Sequence, residues 1–236
     1  VSAFFTLHSA LPREGPGLPE DVAWAAEVAG VAVDARICDA ACGPGADVAA
    51  LLLAAPEGHV TAVDRHAPFV EVVAETWEGD RRVSPVVGDL ARIGGPYDFI
   101  WCAGALYFLG LEAGLRLWRE EALAPGGAVA FSYPCYLTED PSPEAVAFWE
   151  GEGDIPTVSE IARATEAAGF ELSASRVVSD AAWEAYYTPM EARIAQLEPA
   201  AEPELAKVLQ EARQEAASWR EVRDQSGYLL CVAVPA

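Results

Sequence analysis

Lysine is all but missing from this chain, with Lys207 the only one in 236 residues. Arginine does not make up the deficit: 15 basic residues stand against 37 acidic ones, a net charge of −22. A field of that sign repels phosphate backbones and anionic lipid, so neither nucleic acid nor a membrane is an expected partner. No apolar run approaches the ~18 residues of a membrane span, and no charged-then-apolar leader precedes a cleavage site. A soluble, cytoplasmic protein is expected, and because the chain starts at Val1 without methionine, residues ahead of it are expected to be missing. The five cysteines (Cys38, Cys42, Cys102, Cys135, Cys231) are odd in number and scattered, which suits reduced thiols better than a disulfide framework. His8, His59 and His66 have no partner at metal-ligand spacing, and Cys38 and Cys42 straddle a strand end and a turn, so no metal is expected.

What is present is apolar material, 52% of residues, enough for a chain of this length to bury about 70% of its unfolded surface. Short apolar runs alternate with longer amphipathic stretches from about residue 19 to residue 178, the pattern of crossovers over a parallel sheet. The strands are predicted at Arg36–Ala40, Val60–Asp64, Val83–Val87, Phe99–Cys102, Ala128–Tyr133 and Leu172–Val178. Helices are predicted from Pro19 to Gly30 and over about 46–55, 67–78, 112–123 and 158–168. Leu7–Gly17, with Pro12, Gly15, Pro16 and Gly17 close together, reads as a loop or lid. Asp180–Arg223 reads as two helices broken around Pro199 and Pro203, and Tyr228–Val234 as a last strand added at the sheet edge.

The most informative stretch is Arg36-Ile-Cys-Asp-Ala-Ala-Cys-Gly-Pro-Gly45, in which a buried strand runs into Asp39 and then a small-residue turn that opens a helix. Glycines at 43 and 45 would let a ligand approach the main chain, and the helix start supplies free N–H groups. Nineteen residues after Gly45 the second strand ends at Asp64, where a ribose diol would find a bidentate acceptor. A nicotinamide dinucleotide would want a third glycine where this chain has Val48, and Asp39 beside the turn would repel a pyrophosphate while attracting a ligand that carries an ammonium and a sulfonium. S-adenosylmethionine is such a ligand.

The chain resembles the class I S-adenosylmethionine-dependent methyltransferases, of the small-molecule type similar to the quinone-biosynthesis methyltransferases. Asp39-Ala-Ala-Cys-Gly-Pro-Gly45 resembles the family's first motif, Asp64 its ribose-binding acid, and Gly88-Asp89-Leu90 the strand end that holds the adenine. Tyr97–Leu109 is similar to the fourth strand and the loop beneath the methyl group, and Leu123-Ala-Pro-Gly-Gly127 to the turn before the fifth strand. The family commonly has glycine where this chain has Ala41, and a polar or acidic residue where it has Ala103. The resemblance implies a Rossmann-like three-layer sandwich: a mostly parallel seven-stranded sheet with an antiparallel final strand, as one domain over 1–236 with an N-terminal lid at 1–18 and a helical cap at 180–223. It further implies that Ala41, Cys42, Arg65, Cys102, Ala103 and Gly104 join the motif residues around the cofactor.

Arg13 is a candidate partner for the methionyl carboxylate, being one of few cations near the cleft. Trp183, Tyr186 and Tyr187 share one helical face of the cap and, with Tyr107 and Tyr136 at the rim, are candidates for contacting the acceptor. No general base is evident; His8 and Tyr107 are the candidates for assisting proton loss. The expected activity is transfer of a methyl group to a small-molecule acceptor by in-line displacement, performed by the chain alone or as a homodimer. Two rivals stand beside it: a non-catalytic cofactor-binding or interaction protein with the same fold, suggested by Ala41 and Ala103, and an NAD(P)-dependent oxidoreductase.

Overall fold

The computed structural model describes residues 2–236. Its elements in chain order are α1 (Ala3–His8), α2 (Pro19–Ala29), β1 (Arg36–Ala40), α3 (Val48–Ala54), β2 (His59–Asp64), α4 (Ala67–Thr76), β3 (Val83–Val87) and β4 (Tyr97–Ala103). There follow α5 (Leu111–Glu121), β5 (Leu123–Tyr136), α6 (Pro143–Phe148), α7 (Val158–Ala167), β6 (Phe170–Val177), α8 (Asp180–Leu197), α9 (Pro203–Val222) and β7 (Ser226–Pro235). Helix boundaries follow local chemistry. Pro19 opens α2, Asp21 accepts from the Leu18 N–H at 2.9 Å, and Gly30 stops the helix in the left-handed region at φ 64°. Thr157 and Glu160 form a reciprocal capping box on α7, and the Ser179 hydroxyl caps α8.

The seven strands lie in the order β3-β2-β1-β4-β5-β7-β6, with every neighbouring pair parallel except those that β7 makes. One core packs α2, α3 and α4 on one face of the sheet, and a second packs α5 and α7 on the other, which completes three layers. The chain winds outward from β1 to β3 and then crosses back to β4, so β1 and β4 diverge at a topological switch point, where open α/β sheets bind ligands beyond the strand ends.

One expectation is overturned. The last strand is not an edge addition: β7 inserts between β5 and β6, and β6 is the edge. The physical reason is visible in the side chains. From Leu229 to Ala233 every residue of β7 is buried, as a strand covered on both faces requires, whereas β6 alternates buried or half-buried with exposed residues. The loop expected at Leu7–Gly17 is also shorter than thought, because Leu7 and His8 belong to α1, capped by Ser2. A second short helix, α6, lies in the stretch between β5 and α7 that carried no helix expectation.

The excursion through α8 and α9 leaves from the carboxyl end of β6 and re-enters at the amino end of the antiparallel β7, so both junctions fall at the rim where β1 and β4 also end. Its core is aromatic: Trp183 stacks on Trp219 at 5.0 Å and 13°, and both touch Tyr187. All five cysteines are free and buried. Among the described residues no helix is long and apolar enough to cross a membrane.

Trp219 is 1% exposed whereas Leu53 is 82% exposed. Replacing Trp219 by Ala is therefore expected to lower unfolding stability by about 3–5 kcal/mol in urea titrations, and Leu53→Ala to change it by less than about 0.5 kcal/mol.

Candidate active site

Beyond the ends of β1, β2 and β4 lies a cavity of about 400 Å³, in the range that holds a ligand of nucleoside size. Its floor is Asp39, the fourth residue of β1, paired in register with Ala62 of β2 on one side and Trp101 of β4 on the other. The Asp39 side chain is buried, and its Oδ2 has no hydrogen-bond partner among the described residues. Burial pushes its pKa well up, and the nearby carboxylates of Asp47 and Asp64 push it further; the Arg13 guanidinium acts in the opposite direction.

The turn that follows is held by backbone bonds. The N–H groups of Ala41 and Cys42 both donate to the Val63 carbonyl, at 2.8 and 3.0 Å, with Ala41 in the left-handed region at φ 65°. Asp64, at the end of β2, accepts from the Gly43 N–H at 2.9 Å with Oδ2 and from the His66 N–H at 2.8 Å with Oδ1. Each oxygen retains a lone pair, so this carboxylate shapes the turn and still has capacity for a diol.

Most residues expected at the cofactor meet in this cavity. Arg13, Asp39, Ala41, Cys42 and Gly43 line it, as do Asp64 and Arg65. Gly88, Asp89 and Leu90 follow around one side, and Ala103, Gly104 and Tyr107 around another. Two do not reach the wall. Gly45, at φ 87°, is placed for packing: a Cβ there would lie 2.8 Å from Val73 Cγ2 on α4. Cys102 points to the opposite face of the sheet, into the core beneath α5. Asp89 uses Oδ1 to cap the short turn at Leu90, accepting from the Ala91 N–H at 2.8 Å.

Of the remaining lining residues, Asp47 carried no prior expectation, while Phe4, Phe5 and Glu14 belong to the segment expected as a lid. Asp47 is buried, takes the Trp101 Nε1–H at 2.9 Å and approaches an Arg13 guanidinium nitrogen at 3.4 Å. Its signal in the sequence was an acid at the start of α3, just past the glycine turn. Phe4, Phe5 and Glu14 bring the N-terminal segment over the cavity. The Phe5 ring stacks on His66 at 3.7 Å and 3° and meets Phe69 edge-on, while Glu14 packs so closely on Gly43 that a Cβ there would lie 3.2 Å from Glu14 Cγ. No local pattern announces these contacts.

The acceptor and catalytic candidates divide. Trp183 and Tyr187 lie buried in the core of the α8–α9 pair rather than on the cavity, because their rings fill the gap between those helices. Tyr136 is half-buried at the end of β5, and neither it nor Tyr186 lines the cavity. His8 is 5% exposed, with Nδ1 2.7 Å from Glu14 Oε2, and is likewise absent from the wall. Tyr107 does line it, and burial pushes its pKa up to about 12, which keeps the hydroxyl protonated at neutral pH and suits it to orienting a ligand rather than to acting as a phenolate base. Among the described residues no group of three His, Cys, Asp or Glu could hold a metal ion.

The family described as "Methyltransferase domain" matches residues 37–127, which span β1 to the start of β5. No curated protein sequence matches the chain. Among solved structures, a methyltransferase from Geobacter sulfurreducens crystallised with S-adenosylhomocysteine is 19% identical, with 99% of this chain and 98% of that one aligned at a TM-score of 0.83. One from Thiobacillus denitrificans, with the same ligand, is also 19% identical, at 99% and 98% coverage and a TM-score of 0.82. The [4+2]-cyclase SpnF shares the fold at 16% identity, 92% and 81% coverage and a TM-score of 0.71. The matched segment carries the buried acid, the turn and the second acid that form the cavity floor. Residues 37–127 thus match the methyltransferase-domain family, and the chain as a whole has the fold of the S-adenosylmethionine-dependent methyltransferases.

Proposed function

We propose that this methyltransferase takes the methyl group of S-adenosylmethionine to a small-molecule acceptor by in-line displacement, in the cytoplasm. The observation that carries the reading is Asp39 Oδ2, a buried carboxylate oxygen without a partner on the cavity floor. A carboxylate desolvated in that way is stabilised by a cationic donor, and the amino group of S-adenosylmethionine is one. The donor brings a sulfonium, an already activated leaving group, so the protein's work is alignment and exclusion of water.

The residues divide that work. Asp39 takes the amino group, and Arg13, with guanidinium donors beyond those given to Asp47 and the Gly15 carbonyl, faces the carboxylate. Backbone around Ala41–Gly43 accommodates the aminoacyl chain, Asp64 and Arg65 the ribose, and Gly88, Asp89 and Leu90 the adenine. Ala103 and Gly104 lie beneath the sulfur, where small residues leave room for an acceptor to approach in line. Tyr107 orients that acceptor through its protonated hydroxyl. Residues 1–18 serve as the lid, through Phe4, Phe5 and Glu14 over the cavity. Val48 is buried in the core where a dinucleotide turn would have glycine, which weighs against a nicotinamide cofactor.

Calorimetry with S-adenosylmethionine and S-adenosylhomocysteine tests the reading, and an absence of heat at millimolar ligand would defeat it. A donor that binds but is never turned over on any acceptor would favour the non-catalytic rival. Asp64→Ala is expected to weaken S-adenosylhomocysteine binding by about tenfold or more, since charge-assisted bonds to the ligand and the support of the turn go together.

Asp39→Asn should have two opposed effects. A carboxyl whose pKa is raised on folding contributes its stability fully at low pH and loses it as pH rises from the unfolded value toward the raised one. Asparagine imitates the protonated form. At pH 7 the variant is therefore expected to melt at a higher temperature than the wild type without ligand, while binding the donor more weakly; a lower melting temperature would contradict the assigned burden on Asp39.

A further inference from the structure

Next to Tyr107 and Gly104 on the cavity wall come side chains from well-separated parts of the chain. Tyr107 follows β4, Tyr186 lies on α8, Glu215 on α9, Tyr228 on β7, and Glu14 precedes α2, with Tyr187 in the core behind them. Tyr228 packs over Gly104 so closely that a Cβ there would lie 3.0 Å from its Cε2. The Tyr187 hydroxyl donates to Glu215 Oε1 at 2.9 Å. Glu14 gives Oε2 to His8, and its Oε1 is buried without a partner among the described residues.

Tyr107, Tyr186, Tyr228 and Glu215 each keep water-accessible surface. Yet burial pushes the pKa of every one of them up. The Glu215 carboxylate is among the charges that push Tyr107, Tyr186 and Tyr228 up, so the three hydroxyls lie within its reach, and Tyr107 and the Gly104 beneath Tyr228 tie the group to the cavity wall. Two more polar atoms belong to neighbours of these residues. Ser132 Oγ and Trp149 Nε1, on side chains 2% and 8% exposed, have no partner among the described residues. Ser132 is in register with Ala103 on the cavity wall, and the Trp149 ring stacks on Tyr228 at 6.1 Å.

We infer that this wall bounds the acceptor's chamber and that the acceptor is a small amine, bound as its ammonium ion among the rings of Tyr107, Tyr186 and Tyr228 and against the Glu215 carboxylate. The inference rests on the methyl-donor reading for the position of the donor. Tyrosine faces attract organic cations, and a carboxylate beside them raises the preference for a cation over a neutral molecule of the same shape. An anionic acceptor would meet two carboxylates, Glu14 and Glu215, against the single imidazole of His8. For transfer, one proton passes from the ammonium to the Glu215 carboxylate, and the freed lone pair forms the nitrogen–carbon bond. The carbon–sulfur bond breaks with its electrons on sulfur, so the positive charge moves from sulfonium to the methylated ammonium.

The test is calorimetry on the full chain saturated with S-adenosylhomocysteine, using benzylamine and butylamine, each paired with its matched alcohol. Each ammonium ion is expected to bind at least about tenfold more tightly than its alcohol, and Glu215→Gln to remove that preference while S-adenosylhomocysteine affinity changes less than about twofold. Tyr187→Phe, which leaves the carboxylate and removes only the hydroxyl that occupies it, should keep the preference, and near-UV circular dichroism verifies that both variants fold. Equal binding of amine and alcohol in both pairs, or a preference that survives Glu215→Gln, overturns the inference. Failure of S-adenosylhomocysteine to bind the wild type overturns the donor reading instead, while the amine titrations, run without it, still decide on the chamber.

Discussion

The end of β1 holds more negative charge than its surroundings neutralise, and the rest of the site is organised around that imbalance. Asp39 is fixed by pairing on both sides of its strand, so it cannot swing into solvent, and its neighbours Asp47 and Asp64 add to the burden. Arg13 is the cation that acts on it, and part of that guanidinium is committed to Asp47 and to the Gly15 carbonyl. A folded protein tolerates such a group when a ligand supplies what is missing, because the penalty for desolvating a carboxylate is largely recovered once a donor meets it. The unpartnered oxygen is thus a constraint on the fold and, on the proposed reading, the point that recognises the donor, in a chain whose overall charge favours a cationic ligand.

The opposite wall of the cavity comes from the N-terminal segment, and its attachment is of a different kind. Phe5 lies flat on His66 and edge-on to Phe69, Glu14 packs on Gly43, and α1 rests on α8 and α9. The contacts on the cavity side are aromatic and side-chain contacts between separate elements rather than strand pairing, the class of contact that opens at lower free energy than a sheet does. The same segment brings a cation and a carboxylate, Arg13 and Glu14, to the cavity wall.

Much of this was legible in the residues. The alternation of short apolar runs with amphipathic stretches placed β1 to β6 and the main helices to within a few residues, and the acid-turn-acid spacing from Asp39 to Asp64 singled out the floor of the cavity. Both signals are local: a strand end, a turn that needs left-handed residues and a helix start are specified by neighbours along the chain. Gly45 shows the limit of that logic. Its conformation was foreseeable, but its use against Val73 depends on where α4 packs.

The sequence by itself determined the layer architecture, the turn and the sign of charge the site prefers, because periodicity, backbone preference and net charge are properties of the chain in any arrangement. Only the tertiary structure decided that β7 runs between β5 and β6, that Trp183 and Tyr187 serve the α8–α9 core, and that Phe4, Phe5 and Glu14 are the residues of the N-terminal segment that reach the cavity. Those outcomes are choices among partners distant along the chain, settled by which apolar faces remain to be covered once the central strands have paired.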